Sequence, residues 1–225
     1  MTKILIPATS ADDWQKLLAD PEKQWKAGYS ARTLAFCWQE AGGIPPEIVA
    51  VLGQVPLLKN LKTIFAIPEH KVPLPGGIRA SQNDVWVLGE SSSGLVSITV
   101  EGKVSETFGP TIGEWFADKT KGKEKRMKFL CDKLRIEYPP PLNIRYQLLH
   151  RTVSAIIEAE RFRTDNAVMV VHSFSKTNEW FEDYKDFLLL FSLKAGIDQA
   201  ISINLGNEMN LSFAWVCGSE KYLDS

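Results

Sequence analysis

Hydrophobic positions recur at helical spacing through the first third of the chain and then switch to alternation. Ser10 and Asp13 form a capping-box pair, followed by Trp14, Leu17 and Leu18 three and four residues apart. Ser30 stands where it can cap a second helix carrying Leu34, Ala35 and Trp38, and Gly42-Gly43 ends it. Pro45-Pro46 opens a third helix with Ile48, Val49, Val51 and Leu52. Residues 63–67 read as a strand, and Pro73, Pro75 and Gly76-Gly77 make a loop. Two β-rich runs follow, at 84–88 and 95–103, joined by the polar segment 89–94. In the second run Val96, Ile98 and Val100 point to one face, and Ser97, Thr99, Glu101 and Lys103 to the other.

Thr111 with Glu114 predicts a short helix containing Trp115 and Phe116, and a basic helix is expected over 121–135. Pro139-Pro140-Pro141 breaks the chain before a long helix over 142–162. Residues 168–171 are apolar throughout, as in a buried strand, and a helix over 180–193 and a strand over 211–217 complete the pattern. This order predicts an α/β fold, a mixed sheet flanked by helices, in a single domain.

Composition narrows the function. The 225 residues are 44% hydrophobic and 24% charged, which supports an ordinary core, and the net charge of −1 argues against coating nucleic acid or membrane by bulk charge. Ile4-Leu5-Ile6 is too short for a signal-peptide core, and no apolar run reaches the length of a membrane span. Cys37, Cys131 and Cys217 are odd in number and far apart, the usage of a reducing compartment, so a cytoplasmic location is expected.

The residues with most chemistry lie on the two β runs. Glu101 and Lys103 share a strand face, with Asp84 on the preceding strand. Two carboxylates supply hard oxygen ligands for Mg²⁺, with Mn²⁺ as the alternative. Such an ion lowers the pKa of a bound water and offsets charge on a phosphate, while a lysine orients that water or steadies the anionic transition state. The bland alternative is a solvent-facing strand with a cross-strand ion pair.

Asp84, the hairpin, and then Glu101-Gly102-Lys103 resemble the signature of the PD-(D/E)XK nuclease superfamily, which sets Asp on one strand and Glu-x-Lys on the next. The resemblance covers about residues 30–175 and implies a restriction-endonuclease-like core ordered α-β-β-β-α-β, with helical additions before and after it and the basic helix as an insertion. It implies Mg²⁺-dependent phosphodiester hydrolysis, in DNA before RNA, with Asp84 and Glu101 binding metal and Lys103 positioning water. Glu40 or Glu47 is implied as a further acidic ligand from an upstream helix, and Gln147 as the polar residue on the helix after Lys103, with Arg151 one turn on. Asn83 departs from the family's usual proline. A homodimer is compatible with cutting two strands. A catalytically inactive module of the same fold, acting in protein interaction or nucleic-acid binding, is the alternative. Taken whole, the chain also resembles an uncharacterised bacterial family, which carries no activity with it.

Other signals are weighed against plainer readings. Lys119, Lys121, Lys123, Lys125, Arg126, Lys128, Lys133 and Arg135 offer phosphate contacts, or simply a solvated helix face. The patch matters most if it borders the carboxylates. Of seven tryptophans most belong in the core, but alternation puts Trp86 on the side of Asp84, where it could stack a base. His70, His150 and His172 lie on separate elements without zinc-finger spacing. His150, one turn beyond Gln147, is expected near the same cleft. The serine-rich segment 89–94 lacks the ending of a phosphate loop and precedes a strand.

Overall fold

A computed structural model describes residues 8–206 and 208–224; the Ile4-Leu5-Ile6 run lies outside them. A 3₁₀ helix at Ala11–Leu17 carries the Ser10/Asp13 capping box. Three helices follow, α1 (Pro21–Gln24), α2 (Ser30–Ala41) and α3 (Pro46–Leu52). Tyr29, not Ser30, stands at the N-cap of α2 without a side-chain cap, and Gly42 ends the helix with a left-handed φ of 64°. The strands β1 (Lys62–Val72), β2 (Ser81–Ser91) and β3 (Gly94–Lys103) form an antiparallel meander. After α4 (Ile112–Trp115), α5 (Lys121–Leu134) and α6 (Tyr146–Arg161) comes β4 (Asn166–Ser173), parallel to β3. The chain then runs through α7 (Phe181–Leu189), β5 (Gln199–Asn204) and β6 (Asn210–Cys217).

These strands make one six-stranded mixed sheet, ordered β1-β2-β3-β4-β6-β5. The expected α/β architecture, a mixed sheet between helices, is therefore the observed one. The C-terminal addition is not purely helical: β5 and β6 extend the sheet beyond β4. β5 escapes sequence reading because it is a short edge strand, only partly buried, without sustained alternation. β1 runs five residues past its expected end, through Pro68, and an edge strand can hold a proline because one side of its ladder needs no donor. The β2–β3 connection is tighter than expected, with Ser91 paired to Gly94.

Each face of the sheet has its own core. Val96, Ile98 and Val100 of β3 pack with Val168 and Val170 of β4 under Leu34, Trp38, Ile48 and Leu52 of α2 and α3. Met169, Val171, Phe213 and Trp215 pack on the other face under α5, α6 and α7. The polar face of β3 is not solvated, because α6 covers it. Thr99 Oγ1 donates to the carbonyl of Arg151 at 3.1 Å, and Ser97 Oγ accepts from Trp86 Nε1 at 3.0 Å. At the far end of that covered face β3 carries Glu101 and Lys103.

Candidate active site

Alternation on β3 sends Glu101 and Lys103 under the N-terminal turns of α6, and Gly102 to the opposite face. Gly102 permits a close approach: a Cβ there would lie 3.3 Å from Leu34, and its N–H donates to Asp84 Oδ2 at 2.8 Å. Asp84 of β2 is thereby tied to the backbone between the two other residues. Glu101, 3% exposed, is held on both oxygens. Its Oε1 accepts from Lys103 Nζ at 2.7 Å and Gln147 Nε2 at 2.8 Å, and its Oε2 from Arg151 Nε at 2.6 Å. A second Arg151 nitrogen stands 3.8 Å from Asp84 Oδ1. The cation of Lys103 lies 4.8 Å above the ring of Phe108.

Asp84, Glu101, Lys103, Gln147 and Arg151 thus line one cavity of about 470 Å³. Glu69, Gln82 and Glu106 complete its polar wall. Within β1, Glu69 takes a left-handed φ of 52° between the paired residues Pro68–Val85 and His70–Asn83, which sets it opposite Asp84. Gln82 Nε2 donates to its Oε2 at 2.6 Å. The sequence admits Glu69-His70-Lys71 as a border of the site but favours an exposed turn there; the structure instead keeps these residues in β1 and puts Glu69 on the cavity wall, across β1–β2 from Asp84.

The charges sort themselves by surroundings. Burial and then the charge of Glu101 push the Asp84 carboxyl up to about 7. Burial and then Asp84 push Glu69 up to about 8. Burial acts on Glu101 in the same sense, but the charges of Arg151 and Lys103 overcome it and bring that carboxyl down to about 2. An anionic Glu101 therefore lies between two cations, beside two acids whose ionisation burial and like charge oppose. Asp84 and Glu101 offer the oxygen ligands that a hard divalent cation takes, but both Glu101 oxygens are already held by Lys103, Gln147 and Arg151, and Arg151 also stands 3.8 Å from Asp84 Oδ1. Arg151 competes for the same oxygens.

Several expected residues lie elsewhere. Glu40 is exposed and paired with Lys221 at 2.6 Å, and Glu47 sits behind the sheet; neither lines the cavity. Glu47 instead joins a cluster whose ligand atoms lie within 4.8 Å of one another, with Cys37 and His172. Trp38 Nε1 donates to His172 Nδ1 at 3.4 Å, and an indole N–H can only donate. The imidazole proton is therefore on Nε2, 3.3 Å from Glu47 Oε1, and Cys37 Sγ donates to the same oxygen at 3.7 Å. With its lone pair spent on Trp38, the histidine turns an N–H rather than a ligand atom toward Glu47, and that Nε2 makes no hydrogen bond among the described residues.

Trp86 is 1% exposed and stacks on Phe162 at 5.2 Å, so it offers no face to a base. Arg126 is buried, its guanidinium donating to the carbonyls of Leu74, Pro75 and Gly77, which removes it as a phosphate contact. Lys123 is spent on Asp118 and the Trp115 carbonyl, at 2.7 and 2.6 Å. Lys121 and Lys125 are exposed, but none of the four borders the carboxylates. His150 faces an adjoining depression shared with Gln147 and Arg151, its Nδ1 2.8 Å from Ser81 Oγ. His70 lies tilted against Trp86, ring centres 5.0 Å apart, with its Nε2 3.2 Å from Glu158 Oε1.

Comparison with known proteins adds one finding: residues 7–220 match the family described as domain of unknown function DUF6946. The chain belongs to that family. No curated protein and no solved structure matches it. Family membership brings no activity, so the site must be read from its own atoms.

Proposed function

We propose that this DUF6946 protein is a divalent-metal-dependent phosphodiester hydrolase acting on nucleic acid, DNA in the first instance. The observation that carries the reading is the convergence of Asp84, Glu101 and Lys103, from adjacent strands, on one cavity. With α3, α4 and α5 set aside as insertions, the order α2-β1-β2-β3-α6-β4 supports it, since it is the order of the PD-(D/E)XK core that the Asp84 and Glu101-Gly102-Lys103 pattern resembles. Free cysteines at Cys37, Cys131 and Cys217, and the absence among the described residues of a helix able to cross a membrane, suit a cytoplasmic setting.

Asp84 and Glu101 would hold Mg²⁺ or Mn²⁺, which when bound acidifies a water and offsets phosphate charge. The chain's own groups do the rest. Lys103, steered by Glu101 and by Gln147 Oε1 at 3.5 Å, presents an ammonium to a phosphate oxygen or to the attacking water. Gln147 fixes the rotamers of both partners. Arg151 balances Glu101 in the resting site and, on release, can pair with a phosphate.

One observation favours a second reading, a non-catalytic nucleic-acid or protein-binding module. Lys103, Gln147 and Arg151 already satisfy both oxygens of Glu101. Cleavage of plasmid, linear and single-stranded DNA with Mg²⁺ or Mn²⁺ separates the two. Hydrolysis is expected to fall about 100-fold or more in Asp84→Asn, Glu101→Gln and Lys103→Ala. Folded wild-type protein that neither cuts nor takes up metal establishes the module. Cleavage that survives all three changes places the chemistry elsewhere.

A further inference from the structure

We infer that the cavity takes single-stranded nucleic acid, one nucleotide at a time, with a base stacked on Tyr29; this rests on the nucleic-acid reading of the same cavity. The carboxylate wall is only one side of the space. The opposite side is the segment from the end of the 3₁₀ helix to the start of α2, which contributes Leu18, Ala19, Lys23, Gln24, Tyr29 and Ser30. This roof is fastened at several points. Ser30 N–H donates to Glu106 Oε1 at 2.7 Å, and the other Glu106 oxygen accepts from the backbone of Val104 and Ser105, each at 3.1 Å, just past the end of β3. Gly28 N–H donates to the carbonyl of Leu223 at 2.8 Å. Asp20 caps α1 through Lys23 N–H.

A roof tied to the floor limits what can enter. About 470 Å³ lies within the range of pockets that hold one small-molecule-sized ligand. That volume suits one nucleotide, and proteins that work on a nucleotide in a pocket take it from a single strand or swing it out of the helix.

The mouth has the chemistry of a single-strand binder, a stacking ring set among cations. Tyr29 is 43% exposed at the cavity edge. Lys26 Nζ lies 5.9 Å from the centre of its ring. Lys23, 81% exposed on its side chain, lines the cavity and pairs with the exposed Asp20 at 2.9 Å. Deeper in, Lys103 and Arg151 add positive charge to the wall, both bonded to Glu101. Tyr29 thus has the exposure and position that Trp86 lacks. Sequence reading passed over it because the segment 23–29 has no alternation, repeat or charge run.

The test is binding without metal, so that no strand is cut. Fluorescence anisotropy of a short labelled thymidine oligomer, a uridine oligomer and a blunt duplex hairpin is compared for wild type, Tyr29→Ala, Tyr29→Phe and Lys23→Ala, each checked by thermal unfolding. The single strands should bind at least about tenfold tighter than the hairpin, and Tyr29→Ala should lose about tenfold on them while Tyr29→Phe keeps its affinity. A tighter uridine arm assigns RNA as the strand and retains the proposal. Equal or tighter duplex binding, no binding at all, or affinity untouched in Tyr29→Ala overturns it. Glu101→Gln, run alongside, separates this from the catalytic reading. A protein that cuts nothing yet binds single strands through Tyr29 keeps the inference and loses the hydrolase. One that cuts duplex DNA with Tyr29→Ala at wild-type rate does the reverse.

Discussion

Arg151 Nε lies 2.6 Å from Glu101 Oε2, and both side chains are buried. A guanidinium at that distance is the counter-ion of the resting site, so its removal leaves Glu101 charged, buried and half balanced. Arg151→Met should destabilise the protein by about 3 kcal/mol in urea unfolding. If a divalent cation uses the same carboxylates, Mn²⁺ should raise the melting temperature of Arg151→Met more than that of wild type. An equal shift in both proteins would separate Arg151 from the cation site.

Asp84 and Glu69 give a pH dependence of unusual sign for acids. Their folded pKa values, about 7 and about 8, stand above the ordinary 3.8 and 4.5. Between those limits the native state keeps protons that the unfolded chain has released, so stability falls as pH rises from about 4 to about 8. Glu101 acts oppositely: lowered to about 2, it stabilises above its ordinary 4.5 and loses that contribution on acidification below it. In Asp84→Asn the fall in stability between about pH 5 and 7 should be shallower than in wild type. Chemical denaturation across that range measures it, and parallel profiles would contradict it.

Trp86 belongs to the core. It is stacked on Phe162 and donates to Ser97 at 3.0 Å, so Trp86→Ala should cost about 3–5 kcal/mol. Metal-free oligonucleotide affinity of the variant, measured under conditions where it remains folded, should match wild type.

The basic helix α5 divides into structural and free cations. Arg126→Ala abandons three carbonyl contacts to the 74–77 loop and should cost about 2–3 kcal/mol without changing the salt dependence of nucleic-acid binding. Lys121→Ala with Lys125→Ala removes two exposed charges and should leave stability within about 0.5 kcal/mol. If α5 touches phosphate, the double variant alone should flatten the salt slope.

The strands of the meander, the long helix α6 and the buried strand β4 were readable because each carries a clear period or a sustained apolar run. Asp84, Glu101 and Lys103 were readable as neighbours because strand alternation alone puts the last two on one face. Glu69 and Arg151 show where that ends. Glu69 enters the cavity through a left-handed backbone and a cross-strand register that no local pattern encodes. Arg151 was legible as a cation one turn past Gln147, but its pairing with Glu101 depends on α6 lying across β3. Glu40 and Glu47 misled because a helix upstream of the sheet has two faces, and theirs look toward Lys221 and His172.

Gly102 is paired with His172 across the parallel β3–β4 ladder, and Glu101 with Val171. The cavity carboxylate and the imidazole behind the sheet thus occupy adjacent rungs on opposite sides of a wall one backbone thick. A slip of β4 by one residue would exchange His172 for Val171 or Ser173 beside Cys37 and Glu47 and turn the imidazole into the apolar core on the other face. The polar cluster behind the sheet therefore acts as a lock on the alignment of β4 against β3, the strand that carries the cavity carboxylate.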